Sequence, residues 1–215
     1  MRNTRRGLGG ILALCLGLTA CLVPPFSSLQ DARMVGSGKV EVTPFYSSIG
    51  AVGEASQQHI QDNFGLQAEF GLSAKADLMF RYEYMKLAPM EYADGEAVHV
   101  LALGPKFRLS DNSAFALPIG MAFGDGVDPF CTAEAQPTLL FTIPAGKALD
   151  FNLAAKVLVP IADPAGTLLA ADLGLGLRPF GSGVTLRPEV GLLVSPQGGG
   201  ADFHCSLGLS FRFTK

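Results

Sequence analysis

From Asp202 to Phe213 the chain alternates between two kinds of side chain. Phe203, Cys205, Leu207, Leu209, Phe211 and Phe213 share one parity, and Asp202, His204, Ser206, Gly208, Ser210 and Arg212 share the other. A period of two predicts a strand with two unlike faces. The same pattern marks ten segments, approximately 38–48, 64–73, 75–85, 96–109, 114–123, 134–143, 149–159, 168–179, 184–195 and 202–213. Their lengths suit tilted membrane strands of roughly 9 to 11 residues. No segment after residue 21 carries a sustained helical stripe. The best helix candidate is EASQQHIQDNF, residues 54–64, worth a turn or two. Residues 22–37, LVPPFSSLQDARMVGS, lack strand periodicity and read as a tether.

The connections alternate in length. Short turns are predicted near 73–75, 110–112, 144–147 and 180–183, where Gly, Asp, Asn or Ser supply the turn conformations. The other connections, 49–63, 86–95, 124–133, 160–167 and 196–201, are mostly longer. This predicts an all-β fold, a closed antiparallel up-and-down barrel of ten strands, with both strand termini at the short-turn end.

Two barrels fit strands of this kind. A soluble barrel keeps its apolar parity inside, and a membrane barrel turns it outward. Composition separates them. Charged residues are 16% of the chain, against about 25% in a typical soluble domain. Mean hydropathy is +0.32. The charged parity is otherwise rich in small residues such as Gly71, Gly104, Gly120, Gly174, Gly176 and Gly208, which suit a crowded lumen. Tyr46, Tyr82, Tyr84 and Phe123 cluster toward the long-loop ends, and Phe107, Phe141, Phe151 and Phe213 toward the short-turn ends. Two aromatic bands match two membrane interfaces. The apolar parity, including Leu173, Leu175, Leu192 and Leu207, is therefore expected to face lipid. The charged parity is expected to pair within the lumen, with Arg187, Glu189 and Arg212 in one network.

The N-terminus reads as an export signal. Arg2, Arg5 and Arg6 precede an apolar run from Leu8 to Leu18 that is too short to span a bilayer. Leu18-Thr19-Ala20-Cys21 resembles the bacterial lipoprotein signal. That resemblance implies cleavage after residue 20 and lipid (thioether diacylglyceryl and amide palmitate) on Cys21, with Leu22 favouring passage to the outer membrane. The expected organisation is a signal peptide at 1–20, a lipidated N-terminus and tether at 21–37, and a barrel at 38–215, with the N-terminus on the periplasmic side. Loss of three arginines leaves 13 basic residues against 19 acidic ones, so nucleic acid is not an expected partner. With Cys21 lipidated, Cys131 and Cys205 remain as a candidate disulfide in an oxidising compartment.

Across residues 38–213 the chain resembles the small bacterial outer-membrane β-barrel proteins. The resemblance implies outer-membrane lipid and the barrel assembly machinery as partners. In that family a terminal aromatic marks the last strand, whereas here Phe213 is followed by Thr214 and Lys215. Candidate chemistry is thin. His204-x-Ser206 is similar to the His-x-Ser pair of outer-membrane lipid A deacylases, but it lies on the lumenal parity and lacks the flanking pattern. His59, His99 and His204 show no zinc spacing, Gly198-Gly199-Gly200 lacks the Lys of a phosphate loop, and Asp125 and Asp128 lack the remaining ligands of a calcium loop. Neither an enzyme nor a cofactor is expected. The favoured role is an envelope barrel with a structural or loop-mediated binding function. A narrow solute channel and a tethered, lipocalin-like carrier of an apolar ligand are the alternatives.

Overall fold

The computed structural model describes residues 24–52, 57–88, 97–124, 127–179, 183–198 and 200–214. Ten strands form the barrel: β1 (Lys39–Val52), β2 (Gln57–Gly71), β3 (Ala76–Leu87), β4 (Ala97–Arg108), β5 (Ser113–Ala116 with Ile119–Phe123), β6 (Glu134–Ala135 with Thr138–Pro144), β7 (Leu149–Pro160), β8 (Leu168–Leu177), β9 (Val184–Val194) and β10 (Ala201–Thr214). Each pairs antiparallel with its sequence neighbours, and β10 pairs with β1 to close the ring. The register of closure runs from Lys39 opposite Thr214 to Val52 opposite Ala201. Closure removes both sheet edges, which hydrocarbon would not tolerate.

β5 and β6 are each interrupted next to a proline, Pro118 and Pro137. Proline offers no N–H to a ladder. The backbone closes the gaps with Leu117 N–H to Pro105 O (2.9 Å) and Gln136 N–H to Pro118 O (2.9 Å). Gly104 lies against this break, where a Cβ would sit 2.2 Å from Leu117 O. The short turns use local side chains. Ser73 Oγ accepts from the N–H groups of Lys75 and Ala76, and Gly146 takes φ +116°.

The outward face is apolar. Leu66, Leu101, Leu103, Ile119, Leu139, Leu173, Val190, Leu192 and Leu207 are exposed. The lumenal parity buries Glu41, Glu69, Asp77, Glu83, Lys106, Asp150, Lys156, Asp172, Arg187 and Glu189. A lipocalin-like carrier needs the opposite arrangement, so that alternative falls. Asp62 and Lys86 depart from the parity. They sit outward and opposite one another at the long-loop ends of β2 and β3, and the Tyr46 hydroxyl donates to Asp62 Oδ1 at 2.6 Å.

Two expectations need correction. The helix candidate is strand from Gln57 onward. Its polar period-two side, with Gln61 and Asn63, faces a polar lumen and is buried there, so hydrophilicity mimicked a loop. The tether is not outside the barrel. Phe26, Leu29, Ala32 and Val35 are almost wholly buried, because residues 24–35 run up the lumen as an extended plug. Gly38 N–H bonds Gly71 O at the short-turn end, and Pro25 O accepts from Gln136 Nε2 toward the long-loop end. Ten peptide steps reach at most about 33 Å, enough to cross a belt about 25 Å tall. The described chain therefore begins at the long-loop mouth, opposite to the end the tether reading implied.

Candidate functional site

The plug has no strand ladder with the wall, so its buried backbone groups must find side chains. At the short-turn end, Val35 N–H donates to Asp77 Oδ2 at 2.8 Å, and Lys106 Nζ donates to Arg33 O at 3.3 Å and to Glu69 Oε2 at 2.9 Å. Arg33 and Arg178 both pair with Asp150. One layer up, Ala32 N–H donates to Thr142 Oγ1 at 2.8 Å. Asp31 and Glu41 share Arg187, whose Nη2 lies 3.3 Å from Asp31 Oδ2 and 2.8 Å from Glu41 Oε1.

The middle of the plug is clasped by a carboxylate. Ser28 N–H and Leu29 N–H donate to the two oxygens of Glu189 at 2.6 and 2.7 Å. Consecutive N–H groups converging on one anion form a nest, which needs a left-handed residue. Leu29 takes that conformation, with φ +52°, at a cost of about 1–3 kcal/mol. Gly208 makes room beside it, since a Cβ there would stand 3.5 Å from Leu29 Cδ2 and 2.9 Å from Thr43 Cγ2. Across the lumen Arg81 lies over the Phe45 ring, 4.6 Å from its centroid, and donates to Ser27 O and Ser27 Oγ, each at 2.5 Å.

The top of the plug is apolar. Phe26 packs in a cluster with Ile49, Leu158, Ala170 and Leu193, while its carbonyl accepts from Lys156. Its ring meets His204 edge-on, with centroids 4.6 Å apart. His204 bonds Ser206 Oγ through Nδ1 at 2.7 Å and Asp172 Oδ1 through Nε2 at 3.2 Å. The order Ser206–His204–Asp172 has the sequence of contacts of a hydrolytic triad. All three side chains are buried beneath the plug, and Ser206 also shares a 2.6 Å hydrogen bond with Ser47. Asp172 also accepts from Ser28 Oγ of the plug and His204 packs against Phe26, so the arrangement supports the plug. Asp172, Glu189 and His204 are also close enough to share an ion. The cation they face is the Lys156 ammonium, 3.1 Å from Asp172, and Ser28 Oγ donates to Asp172 at 2.7 Å. Beside the plug, Ser27, Gln30, Gln67, Arg81 and Thr138 border a cavity of about 30 Å³, large enough for water and little else.

The structure sorts the residues singled out from the sequence. Arg187 and Arg212 do share a carboxylate, but it is Glu41, which receives Arg212 Nε and Nη2 at 2.9 and 2.6 Å. Glu41 stands opposite Arg212 in the ladder, whereas Glu189 stands opposite Ser206, about 20 Å along β10 from Arg212, and is taken by the plug. The Cys131–Cys205 pairing is not formed. Cys205 is free and exposed, because it shares the outward parity of Leu207 and Leu209. Cys131 lies in the loop after β5 and is disulfide-bonded. Cys21 lies outside the described residues.

Sequence reasoning missed the plug residues Phe26, Ser28, Leu29 and Asp31. A signal for them existed. Ile49, Leu158 and Leu193 are large apolar side chains on the charged parity at the long-loop ends. Such residues need an apolar partner inside the lumen, and Phe26 is the aromatic available in the supposed tether.

A closed antiparallel barrel with an apolar outer face, aromatic residues toward its ends and an ionised lumen is a transmembrane barrel of the outer-membrane type. The chain matches no protein-family model and no curated protein. Among solved structures it is similar to the translocator domain of autotransporter NalP from Neisseria meningitidis, at 14% identity and TM-score 0.49, over 83% of this chain and 89% of that one. It is similar to an outer membrane channel from Pseudomonas putida F1, at 10% identity and TM-score 0.49, over 88% and 100% of the two chains. It is also similar to Ail, the attachment invasion locus protein of Yersinia pestis, at 13% identity and TM-score 0.39, over 82% and 99%.

Proposed function

We propose that the protein is a small outer-membrane barrel kept closed by its own N-terminal segment, with a structural or loop-mediated binding role at its long-loop face. The observation that carries this reading is the plug. Residues 25–35 fill the lumen and bond wall side chains at successive heights, from Asp77 through Glu189 to Gln136. The partners it requires are outer-membrane lipid around the apolar belt and the barrel assembly machinery acting on β10, whose Leu207, Leu209 and Phe213 are exposed.

Planar-bilayer recordings test the reading. The intact protein is expected to hold a silent baseline, and a variant lacking residues 24–35 to show discrete conductance steps. Steady conductance of equal size from both proteins would overturn closure and favour the narrow solute channel.

A further inference from the structure

We infer that the lumen, with the plug withdrawn, conducts cations in preference to anions, because the wall carboxylates that the plug occupies are ones that no wall lysine or arginine neutralises. The inference rests on the closure reading, since the path opens only when residues 24–35 leave it. It goes beyond that reading by naming the class of solute that the same lumen passes.

The wall pairs its own lumenal bases. Arg81 pairs with Glu83, Lys106 with Glu69, Lys156 with Asp172 and Arg178 with Asp150. Arg187 and Arg212 share Glu41. None of these pairs needs the plug. Residues 24–35 bring one acid and one base, Asp31 and Arg33, which pair with each other at 3.1 Å. Withdrawal of the plug therefore changes no net charge in the lumen. It leaves Arg187 with Glu41 and Arg178 with Asp150.

Asp77, Glu134 and Glu189 stand outside this pairing, and their oxygens go to the plug or to an amide. Asp77 is wholly buried, accepts from Val35 N–H at 2.8 Å and leaves Oδ1 without a hydrogen-bond partner. Glu189 gives both oxygens to the Ser28 and Leu29 N–H groups, at 2.6 and 2.7 Å. Glu134 accepts from Gln136 Nε2, the group that also donates to Pro25 O. These carboxylates follow the plug from the short-turn end through its middle to the long-loop end. Neutral N–H groups satisfy their oxygens without cancelling their charge. When the plug leaves, Asp77 and Glu189 lose those donors and face the opened path. Fixed carboxylates along a narrow path favour cations, as acidic rings do in cation channels. His204 Nε2 stands 3.8 Å from Glu189 Oε1, and a protonated imidazole there would offset the carboxylate.

The test is single-channel recording across a KCl gradient at about pH 8, where an imidazole is ordinarily neutral. Two proteins supply openings. One is the full chain with Phe26→Ala, which empties the apolar cluster that seats the plug and removes no charge. The other lacks residues 24–35. In both, potassium is expected to permeate at least about fivefold better than chloride. Glu189→Gln added to either should lower that ratio by about half or more. Asp62→Asn, which removes an outward carboxylate of β2 instead, should leave it unchanged. A ratio near one, a preference for chloride, a ratio indifferent to Glu189→Gln, or silence from both proteins would overturn the inference. Steady conductance from the unmutated protein with the same cation preference would overturn closure and leave the selectivity standing. A silent unmutated protein with unselective openings in the variants would do the reverse.

Discussion

Leu173 and Leu29 are both leucines of the barrel, and their backbones are held differently. In the wall, Leu173 pairs with Leu153 on one side and with Val190 on the other. Its backbone bonds do not depend on which side chains surround it. In the plug, Leu29 N–H goes to Glu189 Oε2, its neighbours Phe26 and Ser27 use Lys156 and Arg81, and Ala32 uses Thr142. Plug backbone is satisfied by wall side chains. One point substitution can therefore loosen the plug while leaving the wall ladder intact. The wall resists such changes unless they put charge into lipid.

The largest separation should come from Arg187→Leu. Arg187 is buried and neutralises Asp31 of the plug and Glu41 of the wall together. Removing one partner of a buried set leaves uncompensated charge and costs about 3–5 kcal/mol. Urea unfolding in lipid vesicles should show that loss, and a bilayer recording should show flickering openings. Unchanged stability with a silent baseline would mean that Arg212 alone balances Glu41, and that Asp31 does not hold the plug.

Phe26→Ala acts on the plug alone. The substitution empties the apolar cluster of Ile49, Leu158 and Leu193, for which Phe→Ala in a packed core costs about 3–5 kcal/mol. The cost should appear as faster thiol labelling of a cysteine placed at Ser27, with the wall's unfolding midpoint little changed. If wall and plug lose stability in equal measure, they form one cooperative unit and the contrast drawn from Leu173 and Leu29 fails.

Leu207→Arg is the mirror experiment. Leu207 is half exposed on the outward face of β10, and an arginine near the bilayer midplane costs about 2–4 kcal/mol. The loss should be the same in the intact protein and in a variant lacking residues 24–35, since Leu207 faces lipid. Tolerance of the change equal to that of a loop substitution would count against a lipid-facing wall.

The same difference explains what could be read from the sequence. Wall strands have a two-residue period because each faces lipid on one side and an ionised lumen on the other. Their number, closure and parity were therefore legible, down to Arg212 and Arg187 lying inside. Pro118 and Pro137 break β5 and β6 without breaking that parity. The plug has no period, because successive residues find partners on different strands, Ala32 on β6, Leu29 on β9, Ser27 on β3 and Phe26 on β7. Residues 57–63 were obscured for a related reason, since strand that faces polar lumen and rises toward the loops carries few apolar residues. Which carboxylate an arginine meets was not legible either. Glu189 and Glu41 have the same parity, and only the closing register of β1 with β10 and the path of the plug assign them.

The smallest effect is expected from Arg108→Ala. Arg108 pairs with Asp111 at the β4–β5 turn, where the two side chains are 41% and 84% exposed. Water screens such a pair, and removing it should change stability by no more than about 0.5 kcal/mol. The turn itself is closed by backbone, with Leu109 N–H to Ser113 O at 2.9 Å and Ser110 N–H to Ser113 O at 3.0 Å. The plug does not reach it, and lipid does not cover it. The variant should therefore match the unmutated protein in unfolding midpoint, in conductance and in labelling at Ser27→Cys. A loss above about 1 kcal/mol would show that this ion pair sets the register of β4 against β5, and that part of the wall also depends on side chains.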